Sequence, residues 1–342
     1  MNSSRSHRRL VAAIVSLFVT GLAAAPAPAQ DTERPERPER PEHGDREARL
    51  LWAPPPLTHP VTVQLHDGPT YNKLNDDQDY IVKLPPTKKV GSTILEGGRN
   101  IVIIGGYITL PVTADKSNAA MSRGIYIKNN VGTVHIEGVL IDASGGGMSD
   151  GIDIDAPRST VQVENVRVDG IYGFFDQFHA DVIQPFGGVK DLRVDKLSGY
   201  TAYQGLTIDV DLGPIGSAEI SRVNLVAIGD QIWGRHNSGG YLVWLARDAS
   251  CRAVYPIQFR QVYVQPRKGT ALANAVWPPM GGKTACPSVA AADDTETRFP
   301  DLPVKGRIRK GLPPQGDFVP PGVAGLNYVS PGYRQDSPDW KD

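Results

Sequence analysis

Ile136-Glu137-Gly138-Val139, Val163-Glu164-Asn165-Val166 and Val194-Asp195-Lys196-Leu197 share one pattern: apolar, two polar or small residues, apolar. The same tetrad is read in Ile104-Gly105-Gly106-Tyr107, Ile220-Ser221-Arg222-Val223 and Phe259-Arg260-Gln261-Val262, with steps between first members of 32, 27, 31, 26 and 39 residues. The flanks alternate, as in Val134-His135-Ile136 and Val161-Gln162-Val163, which marks a strand with one buried face. The polar pair predicts a sharp bend, with Gly or Asn available for a left-handed backbone. Each repeat is therefore strand, bend, strand.

A second column keeps step with the first. Ile125, Ile152, Ile183, Leu206 and Ile232 follow one another at intervals of 27, 31, 23 and 26 residues. Each period then holds about three strands and a variable loop, with no room for crossover helices. The expected fold is all-β: a right-handed, single-stranded parallel β-helix, a three-sheet solenoid in which coils stack at ~4.8 Å and equivalent aliphatics form ladders. A β-sandwich is the main rival, but it would not require two columns to share one step.

Outward from the repeats, the organisation reads as follows. Residues 1–29 form a signal peptide, with basic Arg5, His7, Arg8 and Arg9, an apolar run from Leu10 to Ala25, and a small-residue cleavage site at Ala27-Pro28-Ala29. Residues 30–49 form a charged tether with three Arg-Pro-Glu repeats, too polar and Pro-rich to pack. Residues 50–98 are expected to cap the helix, 99–265 to form it, and 266–342, rich in Gly and Pro, to pack along its outside. No second long apolar run exists, so no membrane span is expected after cleavage, and the location is secreted or periplasmic. A net charge of −1 without a basic stripe argues against a nucleic-acid partner. Cys251 and Cys286 read as a disulfide in an exported protein.

Set among the tetrads, Ser149-Asp150-Gly151-Ile152-Asp153-Ile154 and His179-Ala180-Asp181-Val182-Ile183-Gln184 resemble the pectin-lyase-like right-handed β-helix superfamily over Arg99 to Gln265. That resemblance implies the same coil architecture and a polysaccharide partner. The superfamily holds lyases, glycoside hydrolases, esterases and proteins without known catalysis, so architecture alone does not choose among them. The Asn-Thr-Asp, Asp-Asp, Gly-His-Gly and Arg-Ile-Lys set of polygalacturonases is absent in order, as are the tryptophan-centred motifs of pectate lyases. Ser149 lacks the glycine elbow of an esterase.

The register also aligns polar residues. Arg123, Asp150, Asp181, Gln204 and Asp230 stand two places before the buried aliphatic column, and Tyr126, Asp153, Gln184, Thr207 and Trp233 one place after it. Alternation turns the second set outward, so this face is expected to carry a groove. Asp150 and Asp181 should lie ~5 Å apart, too close for both to stay charged cheaply. A shared proton, a bridging Ca²⁺ or neutralisation by Arg123 would each resolve this. The first suits a glycoside hydrolase, the second a lyase. The plainer alternative is that Asp150 and Asp181 only cap turns.

The candidate catalytic residues are Asp150, Asp153, His179 and Asp181; Asp150 and Asp181 are also the candidate Ca²⁺ ligands. His179 can move a proton near neutrality, or simply fasten its loop among Phe174, Phe175 and Phe178. Arg123, Tyr126, Gln184, Tyr203, Gln204, Trp233, Arg235 and His236 are the candidate substrate contacts, through stacking and through guanidinium–carboxylate forks. Packing roles for Tyr203 and an end plug around Trp233 are the alternatives. Three function classes remain: a lyase or hydrolase of an acidic polysaccharide, a non-catalytic glycan-binding protein, and a structural envelope component.

Overall fold

At the third position of each tetrad the backbone turns left-handed, with φ of 67° at Gly138, 54° at Asn165 and Lys196, 49° at Arg222 and 53° at Gln261. That turn bends the chain without breaking the pairing of the flanking strands. The computed structural model describes residues 48–112, 122–147, 149–173, 179–229, 240–245, 255–277, 289–290, 293–299 and 302–334. All belong to the unit His43–Asp342, one of two into which the chain divides, the other being Met1–Glu42.

The described residues are all-β, with a parallel-dominated sheet consistent with a β-solenoid. In the coil Ile125–Lys128, Thr133–Glu137 and Leu140–Asp142, every strand pairs in parallel with its equivalent on the coil before and the coil after. The strands Ile152–Ile171, Asp181–Thr201, Ile215–Ala227 and Ile257–Gln265 run through the bends and pair in parallel in that order. The register stacks Ile103, Ile136, Val163, Val194, Ile220 and Phe259 into one ladder, each at most 5% exposed. A second ladder is Ile125, Ile152, Ile183, Leu206 and Val243, each at 0%. Burying each such side chain stabilises the fold by roughly 1.5–3 kcal/mol, and no coil could do so alone. No helix among the described residues is long and apolar enough to cross a membrane.

Four expectations need correction. The first tetrad lies one residue earlier, because Ile103 pairs with Ile136 and Ile104 with Glu137; Ile104 is accordingly 48% exposed. The second column passes from Leu206 to Val243, not to Ile232, which lies outside the described residues. The stretch 50–98 is more than a cap, since Val61–Gln64, Tyr80–Lys83 and Ile101–Ile104 pair in parallel in succession, as do Thr70–Leu74 and Thr93–Gly97. Its interior is partly polar: Lys89 pairs with Ile108, is fully buried, and donates to the carbonyls of Gly91 at 3.1 Å and Ser92 at 2.7 Å. The C-terminal segment likewise adds strands to the stack, because Val304–Lys305 and Ile308–Lys310 pair in parallel with Ile257–Gln265.

Beyond those strands the chain runs back along the tetrad corner, against the direction of coil growth. Phe318 N donates to Asn224 Oδ1 (3.1 Å), Val319 N to Ser198 Oγ (2.9 Å) and Gly325 N to Gly138 O (2.9 Å). The strap ends where Leu50 and Tyr333 form a parallel bridge. Strap and coil pack tightly at Gly138: a Cβ there would stand 2.1 Å from the Tyr328 ring, at φ +67°. Gly138→Ala is therefore expected to cost at least about 2 kcal/mol, by combining left-handed strain with displacement of Tyr328. Chemical denaturation checks this, and an unchanged midpoint would contradict the packing described.

Candidate functional site

Arg123, Asp150 and Asp181 stand at equivalent places on three successive coils, with Tyr126, Asp153 and Gln184 three residues further along each chain. Asp150 precedes its strand, and its Oδ1 accepts from the backbone N–H of Asp181 at 2.9 Å. It thus caps the next coil rather than its own turn. Arg123 Nε donates to Asp150 Oδ2 at 3.0 Å and lies 2.7 Å from Asp153 Oδ2. Its guanidinium also lies over the rings of Tyr126 (4.6 Å) and Phe186 (5.8 Å). Asp181 Oδ1 accepts from the Thr207 hydroxyl.

Two carboxyls, Asp150 and Asp153, thus share one guanidinium, and the charge of a third, Asp181, bears on both of them. Burial, opposed by Arg123, lifts Asp150 above its ordinary value. Burial and then Asp150 push Asp153 up to about 8. Burial and Asp150 raise Asp181 well above the usual range. Burial works against the charge on Arg123, but Asp153 and Asp150 outweigh it and keep its affinity for the proton high. Both Asp153 oxygens and Asp181 Oδ2 are buried without a well-aligned hydrogen-bond donor. A carboxyl in that position is best satisfied by keeping its own proton.

Of the groups expected to relieve the crowding of Asp150 and Asp181, Arg123 lies against Asp150. Of the two expected Ca²⁺ ligands, Asp150 directs its oxygens to Arg123 and to the Asp181 N–H. Among the described residues no three His, Cys, Asp or Glu side chains are gathered to hold a metal. The expectation of an open groove is also corrected. Tyr126, Asp153, Gln184 and Thr207 face away from the aliphatic ladder, yet are only 8%, 0%, 7% and 4% exposed. Gln204 and Tyr203 are buried too. Burial, and then Asp181, push the Tyr203 hydroxyl far up. What reaches solvent is Phe186, His179 and a fraction of Arg123, with the His179 ring 5.6 Å from that of Tyr203.

Beyond Thr207 the outward column continues with Trp244, half-buried and edge-on to Tyr241 at 5.4 Å. Trp233, Arg235, His236, Asp230, Cys251, Cys286 and the phenylalanines at 174, 175 and 178 lie outside the described residues.

A second set of buried acids escaped the sequence reading. The second tetrad position stacks Glu137, Glu164 and Asp195, all fully buried. Glu137 accepts from Tyr328 and Tyr333, each at 2.6 Å, and contacts His135 Nε2 at 2.8 Å. Glu164 Oε1 accepts from the N–H groups of Leu51 (3.1 Å) and Trp52 (3.0 Å), and Asp195 pairs with Arg222. Burial and then Asp195 raise Glu164 well above its ordinary value. These acids fasten the two ends of the described chain to the coils. The signal was present in the quoted tetrads, whose polar pairs carry Glu, Glu and Asp in register.

The chain matches no known family, no curated protein and no solved structure.

The raised Asp153 has a stability signature. In the fold it keeps a proton that the unfolded chain releases near its ordinary value, so stability falls as pH climbs from about 4 toward 8. Asp153→Asn should flatten this decline relative to the native chain, both by removing that carboxyl and by relieving Asp181, which the charge of Asp153 helps to raise. Denaturation series at pH 5 and pH 8 measure it, and parallel slopes would show that Asp153 is ionised in the fold.

Proposed function

We propose that this chain is an exported, right-handed three-sheet β-helix of the pectin-lyase-like kind that cleaves an acidic polysaccharide at the Arg123–Asp150–Asp153–Asp181 cluster. The basic, then apolar, N-terminal run supports export, and the parallel stacking of strand, bend and strand supports the β-helix. The observation that carries the chemistry is a pair of carboxyls, Asp150 and Asp153, sharing one guanidinium, with Asp181 joined to Asp150 through its backbone N–H. Such crowding keeps one carboxyl protonated at neutral pH while its neighbour stays ionised. Hydrolysis of a glycosidic bond needs that combination, an acid to protonate the leaving oxygen and a base or nucleophile opposite.

Asp153, held near 8, is the acid in this reading, and Asp150, which accepts from both Arg123 Nε and the Asp181 N–H, the ionised partner. Arg123, whose side chain is 15% exposed, is the cation of the cluster that a uronate carboxylate would meet first, and its fork suits that group. His179, exposed beside Tyr203, would relay protons to solvent, and in a lyase would take the proton next to the uronate carboxylate. Gln184, Gln204 and Tyr203 would line the approach.

A second reading, glycan binding without cleavage, is favoured by the complete burial of Asp153 and Asp181 and by the half-exposed Tyr241–Trp244 pair. Aromatic faces of that kind stack on sugars.

Incubation with acidic and neutral polysaccharides, following reducing ends and unsaturated-uronate absorbance, separates the readings. Cleavage that drops at least 100-fold in Asp153→Asn, with the fold retained, is the expected result. Reducing ends without absorbance mean hydrolysis; absorbance means elimination with His179 as base, and His179→Ala should then abolish it. Binding without product, weakened by Trp244→Ala, would replace the enzyme reading with the second. Neither product nor binding from folded protein would falsify both.

A further inference from the structure

An acid that protonates a substrate has to touch it, yet Asp153 is 0% exposed. Tyr126 and Gln184 flank it on the coils before and after, and Arg123 Nε lies 2.7 Å from its Oδ2. Phe186 is the fourth neighbour. Burial and Asp150 raise the Asp153 carboxyl, while Arg123 and then the backbone N–H groups of Ile154 and Phe186 oppose that rise. The Phe186 ring leans over Arg123 two coils earlier, 5.8 Å from its guanidinium.

Tyr126 and Gln184 are fixed by strand pairing and are only 8% and 7% exposed. Phe186 differs on both counts. It is 46% exposed, and it stands in a bulge. Asp153 pairs with Gln184 and Asp155 with Gly188, so Pro185, Phe186 and Gly187 face Ile154 alone. Towards the later coils, pairing stops at Ile183 and resumes at Val189. Bulges of this kind re-aim side chains next to active sites.

The bulge is anchored directly behind the ring. A Cβ on Gly187 would collide with Asp155 Oδ1, and one on Gly188 with the Pro214 carbonyl. Gly188 also holds a left-handed φ of 98°, which glycine adopts without strain. The backbone at 187–188 is thus held close against its neighbours, while the ring ahead of it is half in water and outside the ladders. Segments with little buried contact and no strand partner open at low cost.

We propose that Pro185–Gly188 is a gate: Phe186 closes over Arg123 and Asp153, and swings aside from the anchored Gly187–Gly188 pair to admit a saccharide unit. The inference rests on the reading of Asp153 as the acid. It gives that acid two settings, sealed from water at rest, where it keeps its proton, and open when a glycosidic oxygen is to be met.

Labelling of the full chain with a water-soluble carbodiimide and glycinamide, read residue by residue by mass spectrometry, tests the gate without any polysaccharide. Asp76, exposed on its turn, is the internal standard. In the native chain Asp153 should label far more slowly than Asp76. Phe186→Ala should speed Asp153 by about 10-fold or more and leave Asp76 unchanged, because labelling follows the population of the open form. Phe186→Leu, which keeps part of the cover, should fall between. Should Phe186→Ala fail to fold, Phe186→Leu alone decides, by labelling faster than the native chain. Asp153 labelling at one rate with and without the ring, or silent in every variant, would overturn the gate. Polysaccharide cleavage is followed on the same proteins. Gate behaviour without cleavage would remove the catalytic reading and leave the gate. Cleavage by a chain whose Asp153 labelling ignores Phe186 would remove the gate and leave that reading.

Discussion

Each coil lies on the next at the spacing of hydrogen-bonded strands, so every side chain has its equivalent only ~4.8 Å away on the coil before and the coil after. Like must therefore tolerate like. Aliphatic residues meet this condition by packing, and the ladders from Ile103 to Phe259 and from Ile125 to Val243 follow from it. Charged residues cannot meet it without help. Wherever acids stack, the fold supplies a cation, a backbone N–H or a retained proton.

Both acidic clusters are solutions to that one problem, and they differ in what completes them. At the tetrad corner the completing groups come from far away in sequence. The N–H of Leu51 reaches both Glu164 and Asp195, and the hydroxyls of Tyr328 and Tyr333 reach Glu137. At the other cluster the completing groups come from neighbouring coils: Arg123, the Asp181 N–H and the Thr207 hydroxyl. Chemistry is assigned to Asp150, Asp153 and Asp181 because Arg123 reaches solvent beside them, and fastening to Glu137, Glu164 and Asp195 because Leu51, Trp52, Tyr328 and Tyr333 bond to that stack.

The repeat was legible because apolar residues at fixed offsets have no other economical meaning. It failed where the ladder is polar. Lys89 occupies an interior place and donates to backbone carbonyls, so the coils before Arg99 carry no tetrad to read. It slipped by one residue where Ile103 and Ile104 offer two apolar candidates for one position. The alignment of Arg123, Asp150 and Asp181 followed from spacing alone, as did the facing directions of Tyr126, Asp153 and Gln184. Their burial did not, because alternation gives the side on which a residue stands and not what lies over it. The Glu137, Glu164 and Asp195 stack was hidden by its own setting: a polar pair at a bend explains itself as a bend, and its partners Leu51, Trp52, Tyr328 and Tyr333 lie more than a hundred residues away.

The bridge between Leu50 and Tyr333 gives the molecule a mechanical character. Leu50 N donates to Gly332 O and Arg334 N to Leu50 O, each at 2.9 Å, and the two segments run parallel. Tension applied to the chain before residue 50 and after residue 333 would pull the segments past one another in shear, loading both bonds together instead of unzipping them in turn. The acids beneath, which hold Leu51, Trp52 and Tyr333, would share the load. The coils would feel little of it, since the path of force crosses the strap and not the stack. The fold would therefore behave as a closed clasp under load, with its ladders kept slack for as long as the clasp holds.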